Sequence, residues 1–128
     1  MRKGALIFWG IILLLVVAAI GVSLFSKTGP GNLDSFAQCL KDKGAVFYGA
    51  FWCPHCQNTK NMFGASAKLL PYVECSTPDG KSQLQACVDK KIENYPTWEF
   101  ADGSRLTGER TLQELADKTG CTLPENGS

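Results

Sequence analysis

The sequence predicts an α/β domain, a four-stranded mixed sheet flanked by helices, behind one N-terminal transmembrane helix. Three observations predict it: an uncharged apolar run from Ala5 to Phe25, strand-like and helix-like segments alternating through the remainder, and a closing β-hairpin. A chain of 128 residues has room for one small domain and one anchor.

At about 1.5 Å per residue the run reaches across the roughly 30 Å hydrocarbon core, so residues 5–25 are expected to meet membrane lipid. A cleaved secretory signal is the alternative, with an apolar region of about 7–15 residues ending in small residues. Here Ala18-Ala19-Ile20-Gly21 lies inside the run, which favours an uncleaved signal anchor. Gly10, Ala18, Ala19, Gly21 and Ser23 form no GxxxG pair and read as ordinary membrane filler. Arg2 and Lys3 hold the tip in the cytoplasm by the positive-inside rule and set the C-terminal domain outside, in a periplasm or at the cell exterior. The expected division is a cytoplasmic tip and anchor over 1–26, a linker over 27–32, a domain over 33–123 and a tail over 124–128.

After the Gly- and Pro-bearing linker, Asn32 or Asp34 is expected to cap a helix burying Phe36, Ala37 and Leu40 and ending at Gly44. Residues 45–50 read as a short, continuously apolar strand. A second helix opens at Cys53-Pro54, where proline in the first turn sacrifices no hydrogen bond, and runs through Met62, Phe63 and Ala67 toward Leu70 before Pro71. Residues 72–75 form the next strand, Thr77-Pro78-Asp79-Gly80 a turn, and residues 82–91 a third helix. Residues 97–100 and 104–107 make the hairpin around Ala101-Asp102-Gly103. The last helix starts at Thr111, with Glu114 completing a capping box, buries Leu112, Leu115 and Ala116, and stops at Gly120.

Charge excludes one class of function. Arg2 and Lys3 belong to the anchor, and the other basic residues are interspersed with 12 acidic ones, which leaves no footprint for nucleic acid. No phosphate-binding glycine loop is present. Six cysteines in a small exported domain fit an oxidising compartment instead.

The informative motif is Phe51-Trp52-Cys53-Pro54-His55-Cys56, between a strand and a helix. A thiolate at a helix N-terminus is stabilised by free N–H groups and the helix dipole, so Cys53 is the expected nucleophile, with Pro54 opening the helix. His55, between the cysteines, adds a donor or positive charge favouring the thiolate, and a better leaving group tips the pair toward oxidising other proteins. Cys56, one turn later, is the expected resolving thiol. A zinc site is the rival reading, but it needs four ligands, and the chain offers no second CxxC and no second His. The expectation is therefore no metal and no cofactor beyond the redox-active disulfide.

These residues resemble the thioredoxin-like superfamily from about Phe36 to Cys121, through the 48–56 segment, Tyr95-Pro96-Thr97, and the Asp102-Gly103 hairpin with Gly108. More narrowly, Tyr48 to Cys56, Glu74-Cys75 and Tyr95-Pro96-Thr97-Trp98 resemble the thioredoxin-like domain associated with bacterial and plant homologues of vitamin K epoxide reductase. The resemblance implies a cis-proline at Pro96 facing the redox pair, backbone pairing of Tyr95 with an extended substrate segment, and strand order 72–75, 45–50, 97–100, 104–107. A trans-proline starting an edge strand is the plainer alternative. Two departures stand out. The usual first strand is missing, so the fold is a trimmed one, and the buried acid that helps deprotonate the second cysteine is replaced by Phe47. Among the flanking aromatics, Phe51, Trp98 and Tyr95 are expected in the core, and Trp52 is expected partly exposed as an apolar rim for substrate.

With Cys53 and Cys56 set aside, the other four cysteines allow three pairings. Cys75 with Cys87 is a feasible bridge from strand end to helix, leaving Cys39 with Cys121 to tie the first helix of the domain to the last; a second redox role for Cys75 and Cys87 is the alternative. The whole reads as an anchored, outward-facing thiol–disulfide oxidoreductase donating the Cys53–Cys56 disulfide to thiols of exported proteins. A membrane oxidase resembling vitamin K epoxide reductase is the implied partner that regenerates it. The rivals are an outward-facing reductase, for disulfides or cytochrome c maturation, and a non-catalytic binding module.

Overall fold

The computed structural model describes residues 2–25 and 32–125, the side chains of 21–25 excepted. Helix α1 covers Arg2–Phe25, is long and apolar enough to cross a membrane, and has exposed side chains from 2 to 20. Linker residues 27–31, tail residues 126–128 and the side chains of Gly21 and Ser23 lie outside the described residues.

The domain runs α2 (Asp34–Asp42), β1 (Val46–Gly49), α3 (Pro54–Phe63), a 3₁₀ segment (Gly64–Leu69), β2 (Tyr72–Glu74), α4 (Gln85–Asp89), β3 (Thr97–Glu99), β4 (Arg105–Thr107) and α5 (Leu112–Thr119). The sheet order is β2-β1-β3-β4, the order expected from the sequence, with β1 parallel to β2 and antiparallel to β3. Successive side chains on a strand face opposite ways. Phe47 and its cross-strand partner Trp98 therefore stack at 4.8 Å on one face, joining Phe36 and Leu40 of α2, Phe63 of α3 and Leu115 of α5 in the larger core. Tyr48 turns to the other face, where it packs with Cys75, Cys87 and Ile92. Helices thus cover both faces of a mixed sheet.

Two disulfides close this frame. Cys39 of α2 is bonded to Cys121 just past α5, and Cys75 after β2 to Cys87 of α4. The capping box of α5 is present, with Thr111 and Glu114 each bonding the other's backbone N–H, and Gly120 takes the left-handed conformation at φ +76° that ends the helix.

Four local expectations need correction. Neither Asn32 nor Asp34 caps α2. Leu33 holds that position because it is buried, and its N–H is taken by Ser66 Oγ of the 3₁₀ segment at 3.0 Å. Helix α3 does not continue regularly to Leu70: Gly64 at φ +54° breaks it, and the chain tightens into 3₁₀ geometry. Helix α4 is half the expected length, since residues 82–84 are already paired with 75–77 through Thr77 N–H to Ser82 O (2.9 Å) and Leu84 N–H to Cys75 O (2.7 Å). Leu112 is only partly buried, at the start of α5.

The Cys39–Cys121 bond spans a sequence separation of 82. Replacing both residues by alanine should lower unfolding free energy by up to about 4 kcal/mol, the chain-entropy value for so long a loop, as read by urea denaturation of the full chain.

Candidate active site

The site grows out of the end of β1. The chain leaves the sheet after Gly49, turns with Cys53 N–H bonded to Ala50 O at 3.0 Å, and enters α3 with extended dihedrals at Cys53 and Pro54 in the first turn. Cys53 is thus the N-cap of a ten-residue helix, and its carbonyl accepts the helical bond from Gln57 N–H at 3.1 Å. Cys56, one turn on, points inward.

Both cysteines are free thiols and buried, Cys56 completely. The Cys56 sulfur lies against the bare Cα of Gly49, where a Cβ would stand 2.9 Å from Cys56 Sγ and 2.9 Å from Cε2 of Tyr72. Burial first, and then hydrogen bonding with Cys53, push the Cys56 thiol up to about 12, while Lys60 acts in the opposite sense. Cys53 instead donates toward Tyr95 O, 3.7 Å away. The Tyr95–Pro96 peptide bond is cis, and Pro96 is fully buried, its carbonyl accepting from Gly108 N–H at 2.8 Å.

Trp52 is half exposed beside Cys53. Its ring meets Tyr95 edge-on at 5.9 Å, and its Nε1–H donates to Ser76 Oγ at 2.9 Å. Tyr95 OH accepts from Gln83 Nε2 at 2.6 Å. Both rings are therefore braced by the loop that the Cys75–Cys87 bond closes. Phe51, expected in the core, is exposed instead, because only its backbone is tethered: its N–H donates to Glu74 Oε1 at 3.1 Å and its carbonyl accepts from Gln57 Nε2 at 2.9 Å. Trp98 is fully buried and Tyr95 partly so.

His55 is exposed. Its Nδ1 lies 2.8 Å from Glu109 Oε1, the oxygen that also accepts from Asn58 Nδ2 at 2.8 Å. Asn58 first and His55 second hold the Glu109 carboxyl below the usual range. At the position of the missing buried acid, Phe47 is enclosed by the rings of Trp98 and Tyr72. No three His, Cys, Asp or Glu side chains converge to form a metal cage among the described residues.

A pair of free thiols near a cis-proline at one end of this sheet invites comparison with known proteins. No family model matches the chain. Over 96 residues, 71% of this chain, it is 48% identical to thiol-disulfide oxidoreductase LTO1 of Arabidopsis thaliana, and that stretch is 25% of LTO1. It is also 27% identical to protein disulfide-isomerase erp38 of Neurospora crassa over an alignment of 132 positions, covering 89% of this chain and 36% of erp38.

The chain carries a domain of the thioredoxin-like, disulfide oxidoreductase family. It spans about a quarter to a third of the length of these relatives.

Within this thioredoxin-like domain the structure brings Trp52, Cys53, Pro54, His55 and Cys56 together with Tyr95 and Pro96 at one end of the sheet. It keeps Cys39, Cys75, Cys87 and Cys121 in disulfides. Ser76, Gln83, Asn58 and Glu109 also belong to the site, and the sequence does not mark them as its members. Asn58 was accessible, since it follows His55 at the i,i+3 spacing that shares a helix face. Glu74 was noticed only as part of a motif, and nothing local marks Gln83 or Glu109 as neighbours of the redox pair.

Gly49→Ala should cost about 1–3 kcal/mol, as expected for overpacking, and should displace Cys56. Urea unfolding measures the first effect, and the altered backbone amide shift of Cys56 in an NMR spectrum the second. Because its folded-state carboxyl pKa is depressed, Glu109 keeps its contacts above the ordinary carboxylate range and loses them as pH falls through the lowered value. A carboxyl-carbon NMR titration should therefore give Glu109 a midpoint below that of free glutamate.

Proposed function

We propose that this chain is a membrane-anchored, outward-facing thiol–disulfide oxidoreductase that donates the Cys53–Cys56 disulfide to exported proteins. The observation that carries the reading is Cys53 at the head of α3, directed at the Tyr95 carbonyl beside a cis-proline, with Cys56 buried behind it. A substrate thiolate attacks Cys53 Sγ, and the Cys53–Cys56 bond breaks with its electron pair passing to Cys56. A second substrate thiolate then displaces Cys53, so the substrate leaves as a disulfide and the protein holds two more electrons and two more protons. Tyr95, Pro96 and Trp52 would form the platform for an extended substrate segment.

One feature supports donation over reduction. Phe47, enclosed by aromatic rings, offers no proton acceptor to Cys56, which handicaps a reductase. The likeness to a protein named thiol-disulfide oxidoreductase agrees with redox exchange as such. The charges at Arg2 and Lys3 support an N-terminus in the cytoplasm. In this reading α1 raises the effective concentration of the domain near a membrane oxidase resembling vitamin K epoxide reductase, which restores the disulfide.

The direction of exchange is set by measuring the reduction potential of the Cys53–Cys56 pair against glutathione buffers. A value near about −120 mV marks a donor, and one near about −270 mV makes the protein a reductase. Cys53→Ser should abolish oxidation of a reduced peptide, whereas Cys56→Ser should accumulate a mixed disulfide resolved on a non-reducing gel. Equal activity in both variants would refute the assignment of roles.

A further inference from the structure

Disulfide donation puts negative charge on a sulfur that water does not reach. When Cys53 is attacked, the electron pair of the broken bond goes to Cys56 Sγ, which is fully buried, and burial pushes that thiol up to about 12. A group with so high a proton affinity leaves slowly unless its charge is met.

Apart from a backbone hydrogen bond at Ala50, which draws the thiol downward, the elements around Cys56 supply few groups to meet it. From its own helix come Cys53 and Lys60, the latter one turn further along and on the same face; from β2 come Tyr72 and Glu74. Glu74 is already committed. Its Oε1 accepts from the N–H groups of Phe51 (3.1 Å) and Ser76 (3.0 Å), and its Oε2 from Tyr72 OH (2.6 Å). Lys60 makes no ion pair among the described residues, and its ammonium stands 3.6 Å from the centroid of the Tyr72 ring. That ring and the Cys56 sulfur flank the same bare Cα of Gly49. Tyr72, steadied by Glu74 at its hydroxyl, therefore holds a cation on the side of β2 that Cys56 occupies.

We propose that Lys60, clamped over the Tyr72 ring, is the positioning residue that stabilises the Cys56 thiolate as it leaves the Cys53–Cys56 disulfide and, in the reverse reaction, as it attacks. It does so without touching substrate, from a place in the fold one strand away from Phe47. The same ammonium draws the Cys56 thiol downward against the effect of burial, and Glu74 does not cancel it because its carboxylate is turned to other donors. The proton that returns Cys56 to a thiol is one that the substrate thiols released on ionising, passed inward through Cys53, its hydrogen-bond partner.

The inference rests on the oxidoreductase reading, but its first test does not. In full-length Cys53→Ser protein, held in detergent micelles, Cys56 is the sole free thiol, and its rate of alkylation by iodoacetamide at about pH 8, where a lysine ammonium is still charged, follows its thiolate fraction. Adding Lys60→Met should slow that alkylation by roughly threefold to tenfold, and Lys60→Arg should keep it near its original rate. With Cys53 restored, Lys60→Met should slow oxidation of a dithiol peptide by a similar factor, and Lys60→Arg should not. An unchanged alkylation rate in Lys60→Met, or an arginine variant that behaves like the methionine one, overturns the proposal. A slowed alkylation in a chain that oxidises no peptide at all upholds the role of Lys60 toward Cys56 and overturns the donor reading instead.

Discussion

The first turn of α3 can lie against the end of β1 only because residue 49 has no side chain. Any Cβ there would intrude on both the Cys56 sulfur and the Tyr72 ring. With that contact made, Cys56 is sealed between strand and helix, and the three-residue turn from Ala50 to Trp52 has a fixed length in which to place Cys53 at the helix head. Glu74 then ties the turn to the neighbouring strand, taking the N–H of Phe51 with one oxygen and the Tyr72 hydroxyl with the other. The geometry of the thiols follows from a backbone-to-sulfur contact more than from any interaction between the cysteines themselves.

The supports of the site come from separate stretches of chain that the sheet brings to one end. Ser76 and Gln83, from the loop closed by Cys75 and Cys87, brace Trp52 and Tyr95; Glu109, from the connection between β4 and α5, reaches His55 and Asn58. Rigid strands carry the apolar load behind them, with Phe47 and Trp98 stacked at the centre. This division leaves the polar loops to shape the surface a substrate meets. Phe51 sits at that surface, its ring exposed while its backbone is held by Glu74 and Gln57.

What the sequence revealed is what local chemistry encodes. The apolar run, the strand-to-helix position of the thiol pair, the capping box at Thr111 and the glycine stops at 44 and 120 each depend on residues a few positions apart, and the structure agrees with all of them. Errors arose where a distant partner decided the outcome. Ser66 takes the N–H that makes Leu33 the first cap, and the pairing of 82–84 with 75–77 withdraws residues that helical periodicity had assigned to α4. The same reason hid Gln83 and Glu109, which contribute to the site through contacts that span from 12 to 54 positions of sequence. His55 stands between the two cysteines in sequence, and its Nδ1 also meets Glu109, a partner 54 positions away that nothing local announces.

The pairing of four cysteines into two structural bonds gives the folded molecule a simple arithmetic. Of its six cysteine sulfurs, only those of Cys53 and Cys56 are free. Once the chain is quenched in acid and unfolded with those two bonds intact, a thiol reagent therefore has two answers open to it, a pair of equivalents or none, according to whether Cys53 and Cys56 stand apart or are joined. The protein is its own redox indicator: the state of the population in its native compartment can be counted from labelled sulfurs, without a substrate, a partner or a reporter fused to it.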